Sequence, residues 1–157
     1  TNSTTVNDGG CMNVGLFGTA NSNTINSGGC MNVSSGTANS TTVKAGGTIN
    51  GFTLQTDNFY LKQIHISNAI VTRSANLYSG QTANSNTINS GGYMNVDGTA
   101  NSTTVQTGGS MIVDSGTANS NTTIKAGGTI NGFTLQTDNF YSEGIHISKL
   151  RSCLNSA

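Results

Sequence analysis

Apolar and polar residues follow one motif along this chain, centred on a Gly-Gly pair. A β-branched residue stands three positions before each pair, and an apolar residue stands two positions after it. The pairs are Gly9-Gly10, Gly28-Gly29, Gly46-Gly47, Gly91-Gly92, Gly108-Gly109 and Gly127-Gly128. The β-branched residues are Val6, Ile25, Val43, Ile88, Val105 and Ile124. The apolar residues after the pairs are Met12, Met31, Ile49, Met94, Met111 and Ile130.

The spacing within this motif is that of β-strands. Segments such as Met12-x-Val14 have period two, and glycine pairs supply the positive φ of tight turns. No apolar spacing of 3.6 residues persists, and Asn, Thr, Ser and Gly are poor helix formers. Each unit therefore predicts a short strand, a turn, a second short strand and a second turn.

A longer repeat in the sequence contains several copies of the short one. Residues 44–60, KAGGTINGFTLQTDNFY, return unchanged as residues 125–141, and IHIS follows both copies. We interpret the chain as a single elongated domain with an internal duplication, residues 1–80 and 81–157. Each copy holds three regular units and an irregular tail.

One unit has too few apolar side chains to fold alone, so units must stack and share a core. Stacking places identical residues about 4.8 Å apart, where a column of Asn can hydrogen-bond along itself. The prediction is an all-β fold, a β-solenoid of about nine short coils, right-handed by analogy with crossover connections. This count takes Phe52–Ser67 and Phe133–Ser148 as wider coils and Asn68–Gly80 as a degenerate one.

Composition narrows the class of protein. Hydrophobic residues make up 33%, charged residues make up 8%, and the net charge is zero, so we expect no nucleic-acid binding. No apolar run approaches the roughly 20 residues that span a bilayer. Abundant Asn, Ser and Thr are typical of an extracellular protein. Because no polar cap closes the last coil, we expect the natural chain to be longer.

The units in TVNDGGCMNVGLFGTANSNTINSGGCMNVSSGTANS resemble the short repeats of AIDA-type adhesins, the self-associating autotransporters of Gram-negative bacteria. The resemblance covers Thr1–Gly51 and Thr82–Gly132, and the tails depart from it. It implies a right-handed parallel β-helix that forms a stalk on the bacterial surface and is secreted through a C-terminal barrel. It also implies adhesion, cell aggregation or biofilm growth, and for some members heptose added to Ser by a glycosyltransferase. Hemagglutinin-type exoproteins share a similar period.

A Ser-x-Thr pattern precedes the β-branched residue in five units, and the sixth, which has one extra residue, offers Asn121 and Thr123. If the β-branched residue faces the core, strand alternation points Ser and Thr outward as two hydroxyl rows on a flat face. These rows have three interpretations, namely a solvated strand face, acceptors of O-linked sugar, and a hydroxyl array that orders water. The candidate residues are Ser3, Thr5, Ser22, Thr24, Ser40, Thr42, Ser85, Thr87, Ser102, Thr104 and Thr123.

Cysteines and aromatic residues mark two further candidate sites. Cys11 and Cys30 occupy the same position of adjacent coils, where they either form a disulfide or remain as two thiols; Cys153 has no partner in the pattern. The tails hold Phe59, Tyr60, Phe140 and Tyr141, which either thicken the core or form a partner site used twice.

Neither metal binding nor catalysis has a basis in the sequence. His65 and His146 have no second ligand at a suitable spacing, and the turns lack the Asp of calcium-binding repeats. Asp57 and Asp138 each lie among neutral neighbours, so paired carboxylates are unsupported. We expect no cofactor, no metal and no enzymatic activity.

The resulting hypothesis is a structural and adhesive stalk segment of a bacterial surface adhesin, located outside the cell and possessing no membrane span. Its partner would be a second rod or a host-surface receptor. The alternative is a secreted ice-binding solenoid that uses the outward Ser-x-Thr rows.

Overall fold

The computed structural model describes residues 2–60, 64–119, 121–136 and 139–141, with the backbone alone at 59, 60 and 139–141. The described part of the chain is all-β without a helix, and its strands wind into a β-solenoid of about seven coils. The predicted fold class is therefore confirmed, with a coil count slightly below the expected nine.

Each complete coil has three strands rather than the two expected. The additional strand is the Thr-Ala-Asn segment, whose Ala points into the core while Thr and Asn point out. We name the three strands of a coil A, B and C in chain order.

The A strands are β3 (Thr19–Asn21), β6 (Thr37–Asn39), β11 (His65–Ser67), β14 (Thr82–Asn84), β17 (Thr99–Asn101) and β20 (Thr117–Asn119). The B strands are β1 (Thr5–Val6), β4 (Thr24–Ile25), β7 (Thr41–Val43), β12 (Ala69–Val71), β15 (Thr87–Ile88), β18 (Thr104–Val105) and β21 (Thr122–Ile124). The C strands are β2 (Cys11–Val14), β5 (Cys30–Val33), β8 (Thr48–Ile49), β13 (Ser74–Leu77), β16 (Tyr93–Val96), β19 (Ser110–Val113) and β22 (Thr129–Ile130).

Two glycines are needed at the B-to-C turn for two different reasons. The first glycine has a positive φ, 74° at Gly28, which suits the third position of a type II turn. The second closes that turn, with its amide 3.0 Å from the Asn26 carbonyl at Gly29. A Cβ on Gly29 would also lie 2.8 Å from the Val6 carbonyl oxygen of the coil below. Stacking therefore excludes a side chain at this second position.

A different corner joins each A strand to its B strand. One residue adopts the left-handed conformation, for example Ser22 at φ 54°, and the next side chain turns into the core. That inward residue is polar in most coils, and its hydrogen-bonding groups are only partly satisfied, since Asn23 Nδ2, Asn86 Nδ2 and Thr103 Oγ1 are buried without a partner. The Asn23 side-chain oxygen accepts a hydrogen bond from the Thr4 amide at 3.0 Å, and the Thr41 hydroxyl donates one to the Asn39 carbonyl at 3.3 Å.

The core is a single column of side chains along the solenoid axis. Every coil adds an A-strand residue, a B-strand Val or Ile and one or two C-strand residues, so each layer packs on an almost identical one. Asn68–Gly80 supplies the B and C strands of one coil, as expected of a degenerate coil, with Val71 buried at the B position. Leu77 pairs with Val96, so Ala75 occupies the first buried position of the C strand.

The tail of the first copy is a reversed layer rather than a wider coil. Ile49 and Phe52 flank Asn50 and Gly51, whose φ values of 49° and 86° fit a type I′ hairpin turn. β9 (Phe52–Leu54) therefore runs antiparallel to β8, and β10 (Asn58–Tyr60) runs antiparallel to β7. Phe52 and Leu54 lie on the same face of β9, and both are buried.

A second reversed layer follows the last C strand. β23 (Phe133–Thr134) runs antiparallel to β22, and β24 (Asn139–Tyr141) runs antiparallel to β21. The interpretation of Phe133–Ser148 as a wider coil is thus wrong for its described part, and the rest lies outside the described residues. This substitution of layers for coils explains the lower coil count.

The first reversed layer divides the solenoid into two stacks, the first from β1 to β8 and the second from β11 to β22. β9 pairs with the C strand β8 on one edge and with the B strand β12 on the other. One nine-stranded sheet thus contains C strands of the first stack and B strands of the second. The second stack is therefore rotated about the solenoid axis by one face relative to the first, so that its B strands continue the face formed by the C strands of the first stack.

Candidate functional site

The most regular polar surface lies on the A strands. Their outward Thr and Asn residues pair in register from coil to coil, Thr82 with Thr99 and Thr99 with Thr117 in the second stack. The two columns run along the axis with about 4.8 Å between coils and about 6.7 Å between Thr and Asn within a strand. We call these the Thr-x-Asn columns. Their members are Thr19, Asn21, Thr37, Asn39, Thr82, Asn84, Thr99, Asn101, Thr117 and Asn119.

Asn side chains are hydrogen-bonded along these columns, as the stacking argument predicted. Asn39 donates its side-chain amide to Asn21 at 3.0 Å, and Asn101 donates to Asn84 at 2.9 Å. Further links join Asn21 to Asn2 at 2.9 Å on the A side and Asn32 to Asn13 at 2.9 Å on the C side. These bonds hold the amide groups in fixed orientations, so the polar surface is preorganised.

The predicted Ser-x-Thr rows do not share a flat face. Ser3, Ser22, Ser40, Ser85 and Ser102 all have φ values between 49° and 54°, so each occupies the corner before its B strand. Ser and Thr both point outward as predicted, with a mostly buried residue between them, but the left-handed conformation bends the chain at Ser, so the predicted flat face is wrong. Most of these Ser side chains are exposed, but they project from an edge of the solenoid.

The Thr members of the pattern lie on the B strands. Thr5, Thr24 and Thr42 form one in-register row, and Thr87, Thr104 and Thr123 form another. The two rows lie in different sheets, and β12 presents Ile70 rather than Thr opposite Thr87. Each row is therefore three residues long.

Cys11 and Cys30 are in register on β2 and β5 and form a disulfide, with their Cα atoms 4.5 Å apart. Of the two alternatives left open by the sequence, the structure contains the bonded form. Tyr93 stands at the equivalent position in the second stack. The bond links the first two coils at the end of the rod.

The tail aromatics are not brought into one site. Phe59 and Tyr60 lie opposite Thr42 and Thr41 in the sheet of the first-stack B strands. Phe140 and Tyr141 lie opposite Thr123 and Thr122 in the nine-stranded sheet. Their side chains lie outside the described residues, so the proposed aromatic partner site remains a prediction.

Charge is scarce on the described surface. Lys44 donates to Asp57 at 2.8 Å and joins the turn before β8 to the loop after β9. The Lys44 side chain, together with the Ala45 amide at 2.9 Å, holds the pKa of the Asp57 carboxyl below its ordinary value. Both side chains are about half exposed, so this pair adds little to stability.

Among the described residues, no three His, Cys, Asp or Glu side chains form a group that could hold a metal ion. His65 is exposed on β11 and lies opposite Thr82, while His146 lies outside the described residues. No helix in the described chain could cross a bilayer.

Comparisons with protein-family models, curated proteins and solved structures find no match to this chain.

Proposed function

We propose that this chain is a rigid, non-catalytic stalk segment of a bacterial surface adhesin that associates side by side with other rods outside the cell. The observation that carries the proposal is the set of in-register Thr-x-Asn columns. The likeness of the Gly-Gly units to the repeats of self-associating autotransporters supports the same function. Its partner is a second rod or a host-surface receptor with the same hydrogen-bonding chemistry.

Many weak contacts suit such a surface. One intermolecular hydrogen bond contributes about 0.5–1.5 kcal/mol, so a stable contact needs several coils. The columns are already ordered, which lowers the entropy lost on association. Because the second stack is turned by one side, the columns of the two stacks face different directions. Each rod can therefore contact more than one neighbour, as cell aggregation requires.

The test is aggregation of cells that display the chain. Thr37→Lys, Thr99→Lys and Thr117→Lys together place three cations on the Thr-x-Asn columns, and we expect aggregation to be lost. The matched control carries Thr24→Lys, Thr42→Lys and Thr104→Lys on the B strands, with equal added charge, and we expect it to aggregate normally. Loss of aggregation in the control alone would show that the contact lies on the B strands. Aggregation by both variants would refute the proposal.

The exposed corner Ser residues support the further proposal that a glycosyltransferase modifies this segment. Serine hydroxyls at these corners are accessible without opening any strand pairing. An intact mass of the natural protein that exceeds the polypeptide by regular sugar increments, with modified peptides containing Ser22, Ser40 or Ser85, is the expected result. An unmodified mass would exclude this modification.

A second candidate, a secreted ice-binding solenoid, is favoured by one specific observation. The Thr-x-Asn columns form a regular grid of hydroxyl and amide groups that could order water. A thermal-hysteresis assay distinguishes the functions, since a stalk should show no activity. If activity is present, the triple Lys variant of these columns should abolish it.

A further inference from the structure

The outward Asn column on the C strands is interrupted at the junction of the two stacks. Asn13 and Asn32 are in register, and the Asn32 side-chain nitrogen donates to the Asn13 oxygen at 2.9 Å. The next member of this column is Asn50, because β8 continues the register of β5. Asn50 adopts the left-handed conformation of the hairpin turn, and its side chain is buried. The column therefore lacks an outward side chain at this level.

The interruption deprives the Asn32 side-chain oxygen of the donor that the column would supply. Asn50 gives its side-chain amide hydrogens to the Val33 carbonyl oxygen at 3.2 Å and to the Gln81 side-chain oxygen at 2.8 Å. The column resumes with Asn76, whose backbone amide donates to the Asn50 carbonyl at 2.9 Å and whose side chain is partly exposed. An acceptor on Asn32 and an amide on Asn76 thus lie on two sides of one gap.

A cavity of about 390 Å³ occupies this gap and is here called the amide cavity. Its volume lies within the range of roughly 300–1,000 Å³ that is usual for small-ligand sites. A second cavity of about 280 Å³ adjoins it at Ser34 and extends between the Ser34-Ser35 and Ser79–Gln81 turns. Among the described residues that line the two cavities, none carries a charge. The polar residues of the amide cavity, with its one aromatic residue, are Asn13, Asn32, Ser34, Asn76 and Tyr78.

These residues have the chemistry that binds a neutral sugar. An Asn side chain carries two donors and an acceptor, so one amide can bond two adjacent hydroxyl groups of a pyranose ring. Tyr78 is partly exposed, and the negative face of an aromatic ring attracts polarised C–H groups such as those on one face of a pyranose. A phosphate or carboxylate ligand fits less well, because no Lys or Arg lines the cavity to pair with it.

The lining groups are held in place before any ligand binds. Asn32 is fixed by its hydrogen bond to Asn13. The Tyr78 backbone is fixed by Gln81, whose side-chain oxygen accepts the Tyr78 amide at 3.2 Å and whose own amide donates to the Tyr78 carbonyl at 3.0 Å. Little conformational entropy is therefore lost when a ligand enters the cavity.

We infer that the amide cavity binds one unit of a neutral oligosaccharide and that the adjoining cavity receives the next unit. Asn32 accepts a hydrogen bond from one sugar hydroxyl, Asn76 bonds a second, and Tyr78 packs against the C–H face of the ring. The inference goes beyond the proposed function, because these three residues are not members of the Thr-x-Asn columns and a second rod is not required.

The experiment titrates the oxidised full chain with the methyl glycosides of glucose, galactose, mannose and N-acetylglucosamine. NMR signals of the Asn32 and Asn76 side-chain amides report binding. We expect saturable shifts with at least one of these sugars. Glycerol, which has hydroxyl groups but no ring, should cause none.

Two variants and a matched control assign the binding to this cavity. Tyr78→Ala and Asn76→Ala should each raise the Kd about tenfold. Both side chains are partly exposed, so the fold should be kept, and an unchanged urea midpoint checks this. Tyr93→Ala removes an exposed ring outside both cavities and should leave the Kd unchanged.

Four results would overturn the inference. These are no saturable shift with any of the four sugars, an equal response to glycerol, an unchanged Kd in Tyr78→Ala, and tighter binding of methyl glucuronide than of methyl glucoside, which would indicate an anion site. Cells that display Tyr78→Ala should still aggregate, because the Thr-x-Asn columns are intact. Loss of sugar binding with normal aggregation is therefore the expected result, and it separates this inference from the proposed self-association.

Discussion

In this solenoid, the residue type at many positions is restricted by contacts with the neighbouring coil. The second glycines Gly29, Gly92 and Gly109 illustrate this, since their own φ is ordinary but a carbonyl oxygen of the coil below approaches closely. The corner Ser residues and the inward Asn or Thr after them are selected by backbone conformation and by local hydrogen bonds. Repetition of a residue therefore reports an interaction between coils rather than a property of one coil.

Gly109→Ala should be strongly destabilising. The new methyl would lie 2.8 Å from the Ile88 carbonyl oxygen, so the coils must separate locally. We expect a loss of about 1–3 kcal/mol in urea unfolding. Gly15→Ala is the matched control, because nothing lies within 4 Å of its Cβ, and its effect should be neutral or slightly stabilising. Equal losses in both variants would contradict the close-approach argument.

Lys44→Met should raise the pKa of Asp57 toward its ordinary value, because the ammonium that stabilises the carboxylate is removed. The Ala45 amide remains, so part of the lowering should persist. Since the folded-state pKa is lowered, the stabilisation is present above the unfolded-state pKa of about 3.9 and is lost as pH falls through the folded-state value. NMR titration of the Asp57 carboxyl measures the change, and an unchanged midpoint would contradict this assignment.

At the scale of elements, one hairpin turn decides where parallel stacking stops. Asn50 and Gly51 reverse the chain, and the buried Asn50 side chain then joins the two stacks. Its oxygen accepts the Val33 amide at 2.6 Å, and its nitrogen donates to Gln81 at 2.8 Å. Gln81 in turn donates to the Val33 carbonyl at 2.8 Å. The junction is thus a small buried polar network.

Asn50→Ala should cost about 2–4 kcal/mol, because it strains a left-handed position, leaves the buried Val33 amide unpaired and removes one of the two donors to the Gln81 side-chain oxygen. Asn131→Ala is the matched control in the second reversed layer, where the Asn side chain accepts the Val113 amide at 2.8 Å. That residue is only partly buried, so its substitution should cost less. Urea unfolding measures both, and an equal cost would show that the Gln81 contact adds nothing.

At the scale of the whole molecule, the fold is a one-dimensional array. Most contacts join neighbouring coils, and the described residues share one hydrophobic core, the column of side chains along the axis. Stability is then approximately a sum over coils and their interfaces. This explains how nearly identical units can follow one another without specifying a unique number of coils.

Deletion of residues 82–98 removes one whole coil and should leave a shorter solenoid. The strands that then become neighbours have matching register, so the circular-dichroism spectrum should remain β-rich. The urea m-value should fall by roughly one seventh, in proportion to the surface buried. Deletion of residues 82–90, about half a coil, breaks the register and should abolish cooperative unfolding. Equal behaviour of the two deletions would exclude a modular array.

The sequence alone determined the features that repeat from coil to coil. The Gly-Gly turns, the inward Val and Ile positions, the Asn columns and the close approach of Cys11 and Cys30 all follow from stacking identical units. The Thr-x-Asn columns could also have been found from the period-two pattern in Thr-Ala-Asn. The Asn50-Gly51 hairpin likewise had a local signal in its Asn-Gly dipeptide.

Only the tertiary structure decided how unlike segments meet. The boundary between the stacks falls in the reversed layer at Phe52–Tyr60, not at the end of the sequence duplication near residue 80. The rotation of the second stack depends on β9 pairing with both β8 and β12, and on contacts such as Gln81 with Val33, 48 residues apart. A repeat encodes contacts between equivalent residues one coil apart. Contacts between non-equivalent residues have no periodic signature, and their geometry exists only once the chain has folded.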